Sequence, residues 1–190
     1  MTGVKGNRRT LYSKMVIKES FIKLLQYNEL HKITVTDICR EADINRGTFY
    51  NYYSDPFNLL KSIEDDFFNI VIDYLSDNSK YKTTVSKLTK IFEFAIENKD
   101  LSKILISKLG DDEIFERILL ITNENDINQI KKHINNNNKT YINYLTEFMI
   151  KGSVGIVESW IKNDFKESPT EIAQIINNIL LKIEDMVGLI

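Results

Sequence analysis

The sequence predicts an all-α chain, on three observations. Glycine and proline are scarce, 7 and 2 among 190 residues, too few for the turns of an all-β fold. Apolar residues recur three and four apart over long stretches instead of alternating. Helix-start signals head those stretches, at Thr34, Asn45, Asp55-Pro56 and Ser168-Pro169-Thr170-Glu171.

Composition narrows the class further. With 43% hydrophobic and 27% charged residues, the chain can bury a core and is not of disordered composition. A single Cys excludes an internal disulfide framework, and 2 His with that Cys leave no ligand set for a zinc site. No apolar run approaches the ~18 residues of a membrane span. Met1 to Thr10 is polar and basic, unlike a secretory signal, so the expected address is the cytoplasm. Charge is polarised. Met1–Ser54 holds nine Lys/Arg against five Asp/Glu, and the remainder holds sixteen against twenty-two. A basic head on an acidic body points to a polyanion at the head.

In order along the chain, Leu11–Gln26 reads as a helix with Ile17, Phe21, Leu24 and Leu25 on one face and Ser13, Lys14, Lys18 and Lys23 opposite. Thr34-Val35-Thr36-Asp37 is a capping box, with Ile33 and Ile38 set for a hydrophobic staple, and opens a short helix to Ala42. Asp43 turns the chain in the left-handed region. Asn45 caps a second short helix running to Tyr53. Asp55 caps and Pro56 starts a long helix to Ser76, striped by Leu60, Ile63, Phe67, Val71 and Tyr74. Helices are expected over Thr84–Asn98 and Leu101–Leu109, with Asp100 as cap and Gly110 as stop. Asp111-Asp112-Glu113 would open another that ends at the Asn135–Asn138 run. Lys139–Phe165 carries Tyr141, Leu145, Phe148, Gly152, Ile156 and Trp160 on or near one face. Pro169–Val187 closes the chain.

Short helix, tight turn and short helix form a helix-turn-helix unit, whose second helix can enter a DNA major groove. Ile38, Ala42, Ile44 and Phe49 are spaced to hold the two helices at their angle. Arg46, Thr48, Tyr50, Asn51 and Tyr52 remain to face outward. Catalysis has no support: there is no Gly-rich phosphate loop, metal cluster, or Ser-His or Cys-His arrangement. The reading is therefore not an enzyme, and no cofactor is expected.

The run Ile33 to Tyr53, with flanking helices from about Arg8 to Leu60, resembles the DNA-binding domain of the tetracycline-repressor (TetR) family. The resemblance implies a homodimer with a head at 1–54, a connecting helix at 55–76 and a helical regulatory and dimerisation body at 77–190. It implies DNA contacts at Thr34, Thr36, Arg46, Gly47, Thr48, Tyr50, Asn51 and Tyr52. Arg46 would read a base edge, and Tyr50 would bond a phosphate. Asp43 stands where the family commonly has Gly. Ser54 and Pro56 stand where it often has Lys; the helix start at Pro56 still offers backbone N–H groups and a positive dipole to a phosphate, and Lys5, Arg8 and Arg9 are expected to compensate as a flexible basic arm. In the body, Phe92, Phe115, Tyr144 and Phe148 are the candidate ligand contacts. Phe148, Gly152, Gly155, Ile156, Trp160, Ile172, Ile176 and Ile179 are the candidate dimer contacts. The implied partners are an operator duplex, a second copy of the chain, and either a small-molecule effector or a partner protein; no membrane is among them. The expected function is a repressor released from a palindromic operator by an effector. The alternative is a co-regulator or activator governed by a partner protein, with no small-molecule pocket.

Overall fold

A computed structural model of the chain describes residues 3–77, 79–108 and 139–186, and all regular structure among them is helical. The helices are α1 (Gly3–Leu25), α2 (Val35–Glu41), α3 (Arg46–Tyr50), α4 (Pro56–Ser76), α5 (Thr84–Glu97), α6 (Lys99–Lys108), α7 (Lys139–Lys162) and α8 (Pro169–Met186), with a 3-10 turn at Leu30–Lys32. Gly110, Phe115, the acidic run at 111–113 and the Asn135–Asn138 run lie outside the described residues. The chain forms two compact units, residues 1–69 and 70–190.

In the first unit α1 packs on α2 and α2 on α3. Ile17, Phe21, Leu25, Ile38 and Phe49 are buried, as their helical spacing requires. Ser13 and Ser20 are buried too; these small residues fit where α1 faces its neighbours, whereas Ser13 was expected on the solvent side. The unit extends beyond the expected head boundary at Ser54. The reason is packing: Leu59, Leu60 and Ile63 of α4 are buried, and Asp66 pairs with Lys18 of α1. Helix α1 starts at Gly3, so Arg8 and Arg9 sit on a helix with exposed side chains instead of on a flexible arm.

Local capping explains the sharp start of α2. The Thr34 hydroxyl oxygen accepts the Asp37 N–H at 3.2 Å, and the Thr34 N–H donates to Asp37 Oδ2 at 3.1 Å. The Thr34 hydroxyl also donates to Asp37 Oδ2 at 2.6 Å. These bonds hold the Asp37 carboxyl below its ordinary pKa of 3.8. The native chain therefore binds fewer protons there than the unfolded chain. The stabilisation is complete above the ordinary carboxylate pKa, and it fades as pH falls through that value toward the lower folded one. Replacing Thr34 by Ala should cost about 1 kcal/mol at neutral pH. Denaturant melts at pH 7 and in acid would check this, with the wild-type advantage shrinking in acid.

In the second unit α5 packs most extensively on α8, and α7 packs on α6 and α8. The core joins Phe92, Ala95, Trp160, Ile161, Phe165, Ile172, Ala173 and Ile176. The Trp160 ring lies 5.3 Å from Phe92 and 5.0 Å from Phe165 between centroids, and its Nε1–H donates to Glu167 O at 2.9 Å. Between α7 and α8, Asp164 and Phe165 take φ of 60° and 57°, which lets Phe165 fold back onto Trp160. Helix α6 begins at Lys99, so Asp100 lies in its first turn and is not its cap.

The stripe expected along α7 divides between two faces. Its steps are mostly fours, and at about 100° per residue Trp160 lies roughly a quarter-turn from Tyr141. Trp160, Met149, Thr146 and Ile142 turn inward and are buried. Tyr141, Tyr144, Phe148 and Gly152 turn outward.

Candidate nucleic-acid interface

The turn between α2 and α3 is built by backbone geometry and one cap. Ala42 closes α2, and Asp43 adopts φ 50°, the left-handed conformation that Asp tolerates. The Ile44 N–H then donates to Cys39 O at 3.0 Å. Asn45 Oδ1 accepts the Thr48 N–H at 2.8 Å and the Thr48 hydroxyl at 3.1 Å. A Cβ at Gly47 would stand 3.2 Å from this same Asn45 oxygen, so a side chain there would press on the cap. Glycine thus keeps both the cap and a bare backbone at the start of α3.

Phe49 anchors α3 from below with no exposed surface. Its ring meets Tyr53 at 5.8 Å and the edge of Tyr50 at 5.7 Å. Tyr50 itself is 56% exposed. It is therefore not a core tyrosine, and its hydroxyl is available to a phosphate oxygen. Asn51 is exposed as the C-cap of α3, and Tyr52 follows in a turn. Helix α3 is thus shorter than the expected run to Tyr53. Lys14 of α1 stands over the Tyr52 ring at 5.7 Å. This pairing was not expected from the sequence, because nothing in either residue's spacing reports a contact between α1 and the end of α3.

The expected contacts differ in what they already hold. The Thr34 hydroxyl is engaged by the capping box and the Thr48 hydroxyl by Asn45. Arg46 Nη2 donates to Thr36 Oγ1 at 2.6 Å, joining the first residue of α3 to α2. Arg8, Arg9, Gly47, Tyr50 and Asn51 are exposed. Arg40 is exposed as well and pairs with Asp37 at 3.3 Å. Burial raises the Cys39 pKa, with Arg46 opposing; it is a small apolar residue of this core.

The body places its candidates differently. Phe92 is core, and Tyr144 and Phe148 are 69% and 65% exposed. Tyr144 and Phe148 therefore line no interior among the described residues. Of the expected dimer contacts, Trp160, Ile172 and Ile176 are buried in the second unit's own core, with Ile156 packed against it. Phe148, Gly152 and Ile179 are exposed and Gly155 half-buried. In sequence, an apolar helix position looks the same whether it faces its own core or a partner.

A short helix held by a buried Phe, offering Arg, Tyr and Asn from a basic head, defines a helix-turn-helix DNA-binding regulator of transcription. The family model for the transcriptional regulator C-terminal region of TetR proteins matches residues 82–182. The chain belongs to the TetR family of transcriptional regulators, which are not enzymes.

It is similar to the dhaKLM operon transcriptional activator DhaS of Lactococcus lactis subsp. lactis (strain IL1403), 32% identical over 125 residues. That match spans 65% of this chain and 63% of the relative, just under two thirds of its length. A solved structure named dihydroxyacetone kinase operon activator DhaS is 26% identical, covers 93% of this chain and 98% of its own, and superposes with a TM-score of 0.60. A TetR regulator structure from Streptococcus agalactiae 2603V shares the fold at a TM-score of 0.67, with 21% identity over 94% of this chain and 98% of that one. Among the described residues, no helix is long and apolar enough to cross a membrane.

Proposed function

We propose that the protein is a cytoplasmic homodimeric repressor that binds a palindromic operator through α2 and α3 and is released by an effector bound in the body. Arg46 is the base-reading side chain. Tyr50 and Asn51 bind at the groove, and the basic face of Arg8 and Arg9 on α1 adds phosphate contacts in place of lysine side chains at Ser54 and Pro56. The observation that carries the dimer is the outward face of α7 and α8. Tyr141, Tyr144 and Phe148 are exposed on one side of α7, and Ile175 and Ile179 are exposed on α8. Cβ atoms added at Gly152 and Gly155 would meet nothing within 4 Å among the described residues. Among the described residues no neighbour requires a glycine at either position, and the absent side chains permit another helix to approach closely. Two copies joined on this face carry two heads, which matches half-sites about one helical turn apart.

Release of the operator requires an effector that binds the two head spacings with different affinity, since equal binding shifts nothing. Of the candidates for a ligand wall, Phe92 lies in the core, Tyr144 and Phe148 face outward, and Phe115 lies outside the described residues. The second reading, an activator or co-regulator responding to a partner protein, draws on the likeness to DhaS, whose name is that of an activator. Transcript levels of the genes beside the operator, with and without the regulator, separate the two: repression predicts a rise on deletion and activation a fall.

The dimer face has a direct test. Phe148→Glu places a charge on the outward face of α7 and should shift the protein from dimer to monomer in sedimentation equilibrium at micromolar concentration. It should also lower affinity for the full palindrome much more than for a single half-site. A dimer unaffected by Phe148→Glu would remove this face from the account.

A further inference from the structure

We propose that Thr36 is a positioning residue for base recognition, acting on DNA through Arg46 and not by its own contact. The proposal deepens the reading of Arg46 as the base-reading side chain and rests on it. The bond from Arg46 Nη2 to Thr36 Oγ1, 2.6 Å long, spans ten residues and crosses from α3 to α2. The guanidinium charge also reaches Cys39, which lies three residues beyond Thr36 on α2 and so on the same helix face. Arg46 therefore lies across the turn between the two helices.

The acceptor is well suited to fix a flexible donor. Thr36 is half-buried in the first turn of a capped helix, and its β-branch restricts χ1. An arginine side chain free in solvent samples many rotamers, and a bidentate base contact must select one of them. With one Nη2–H engaged by Thr36, the guanidinium keeps four N–H donors, and a guanine edge needs two. The pair thus orders the side chain before DNA arrives without using up its capacity to read a base. The same bond limits the rotation by which Arg46 could turn to a neighbouring base pair, so its loss should show in preference more than in overall attraction.

The test uses the full-length protein and the duplex recovered by selection from genomic fragments, with a set of single-base-pair variants, at one stated salt concentration. Thr36→Val keeps the shape and removes the acceptor; Thr36→Ala is the second removal should valine disturb folding; Thr36→Ser restores the hydroxyl. Loss of the acceptor should lower discrimination at the base pair read by Arg46 about three- to tenfold, with the other positions and the salt slope unchanged. Thr36→Ser should recover the wild-type preference, and Thr36→Val in an Arg46→Ala background should add nothing.

Three results would overturn the proposal. A uniform loss across all sequences with a shallower salt slope makes Thr36 a phosphate contact. A gain in affinity makes the bond one that holds Arg46 away from DNA. Additivity with Arg46→Ala makes the two residues independent. Arg46→Ala serves as the control on the underlying reading: if it flattens no position, that reading falls and this one with it. If it flattens one and Thr36→Val does not, only the positioning role fails.

Discussion

Phe49→Ala should destabilise the protein by about 3–5 kcal/mol, the usual cost of truncating a fully buried Phe, and should abolish measurable binding to the operator. Phe49 has no exposed surface and supports Tyr50 and Tyr53 ring to ring. Helix α3 has only five residues, Arg46–Tyr50, far too few to persist without tertiary packing. Removing its anchor therefore removes the presented surface as well as the core contact. Phe49→Leu fills much of the same volume and should keep most of the stability and the binding. Denaturant melts, paired with titration of operator DNA, give both numbers. An Ala variant that melts like wild type would show that α3 is held by something other than this core.

Arg46→Ala should cost about 1–3 kcal/mol of operator affinity, which is roughly five- to 150-fold in Kd. It should also relax preference at one base pair in each half-site. Stability should change little, because Arg46 is exposed and its bond to Thr36 joins two side chains at the surface. The result separates base reading from phosphate attraction: a phosphate contact would weaken all sequences alike and make the salt dependence shallower. Equal losses on operator and random DNA would move Arg46 from the specificity column to the electrostatic one.

Much of this architecture is legible because its determinants are local. The capping box at Thr34, the Asn45 cap, Asp43 in the left-handed turn and the Ser168–Glu171 start of α8 each act within a few residues, and each lies where the spacing places it. The starts of α4 and α5 at Pro56 and Thr84 follow in the same way.

What sequence could not resolve is which apolar face turns inward. Trp160, Ile172 and Ile176 have the spacing of a dimer seam, yet they fill the core shared by α5, α7 and α8. The outward face is instead marked by Tyr144 and Phe148, residues that read equally well as a ligand wall. The first turns of α1 were hidden for the opposite reason: Met1–Thr10 carries no apolar periodicity to announce a helix. The bond between Arg46 and Thr36 depends on the angle between α2 and α3, a tertiary quantity that no spacing encodes.

Sequence-specific binding by a two-headed dimer is tested by selecting binding sites from fragmented genomic DNA of the source organism with the wild-type protein at a defined salt concentration. The protein should enrich one palindromic sequence whose half-site centres lie about 10 base pairs, or a multiple of that helical turn, apart. A folded, dimeric protein that enriches no common sequence would contradict it.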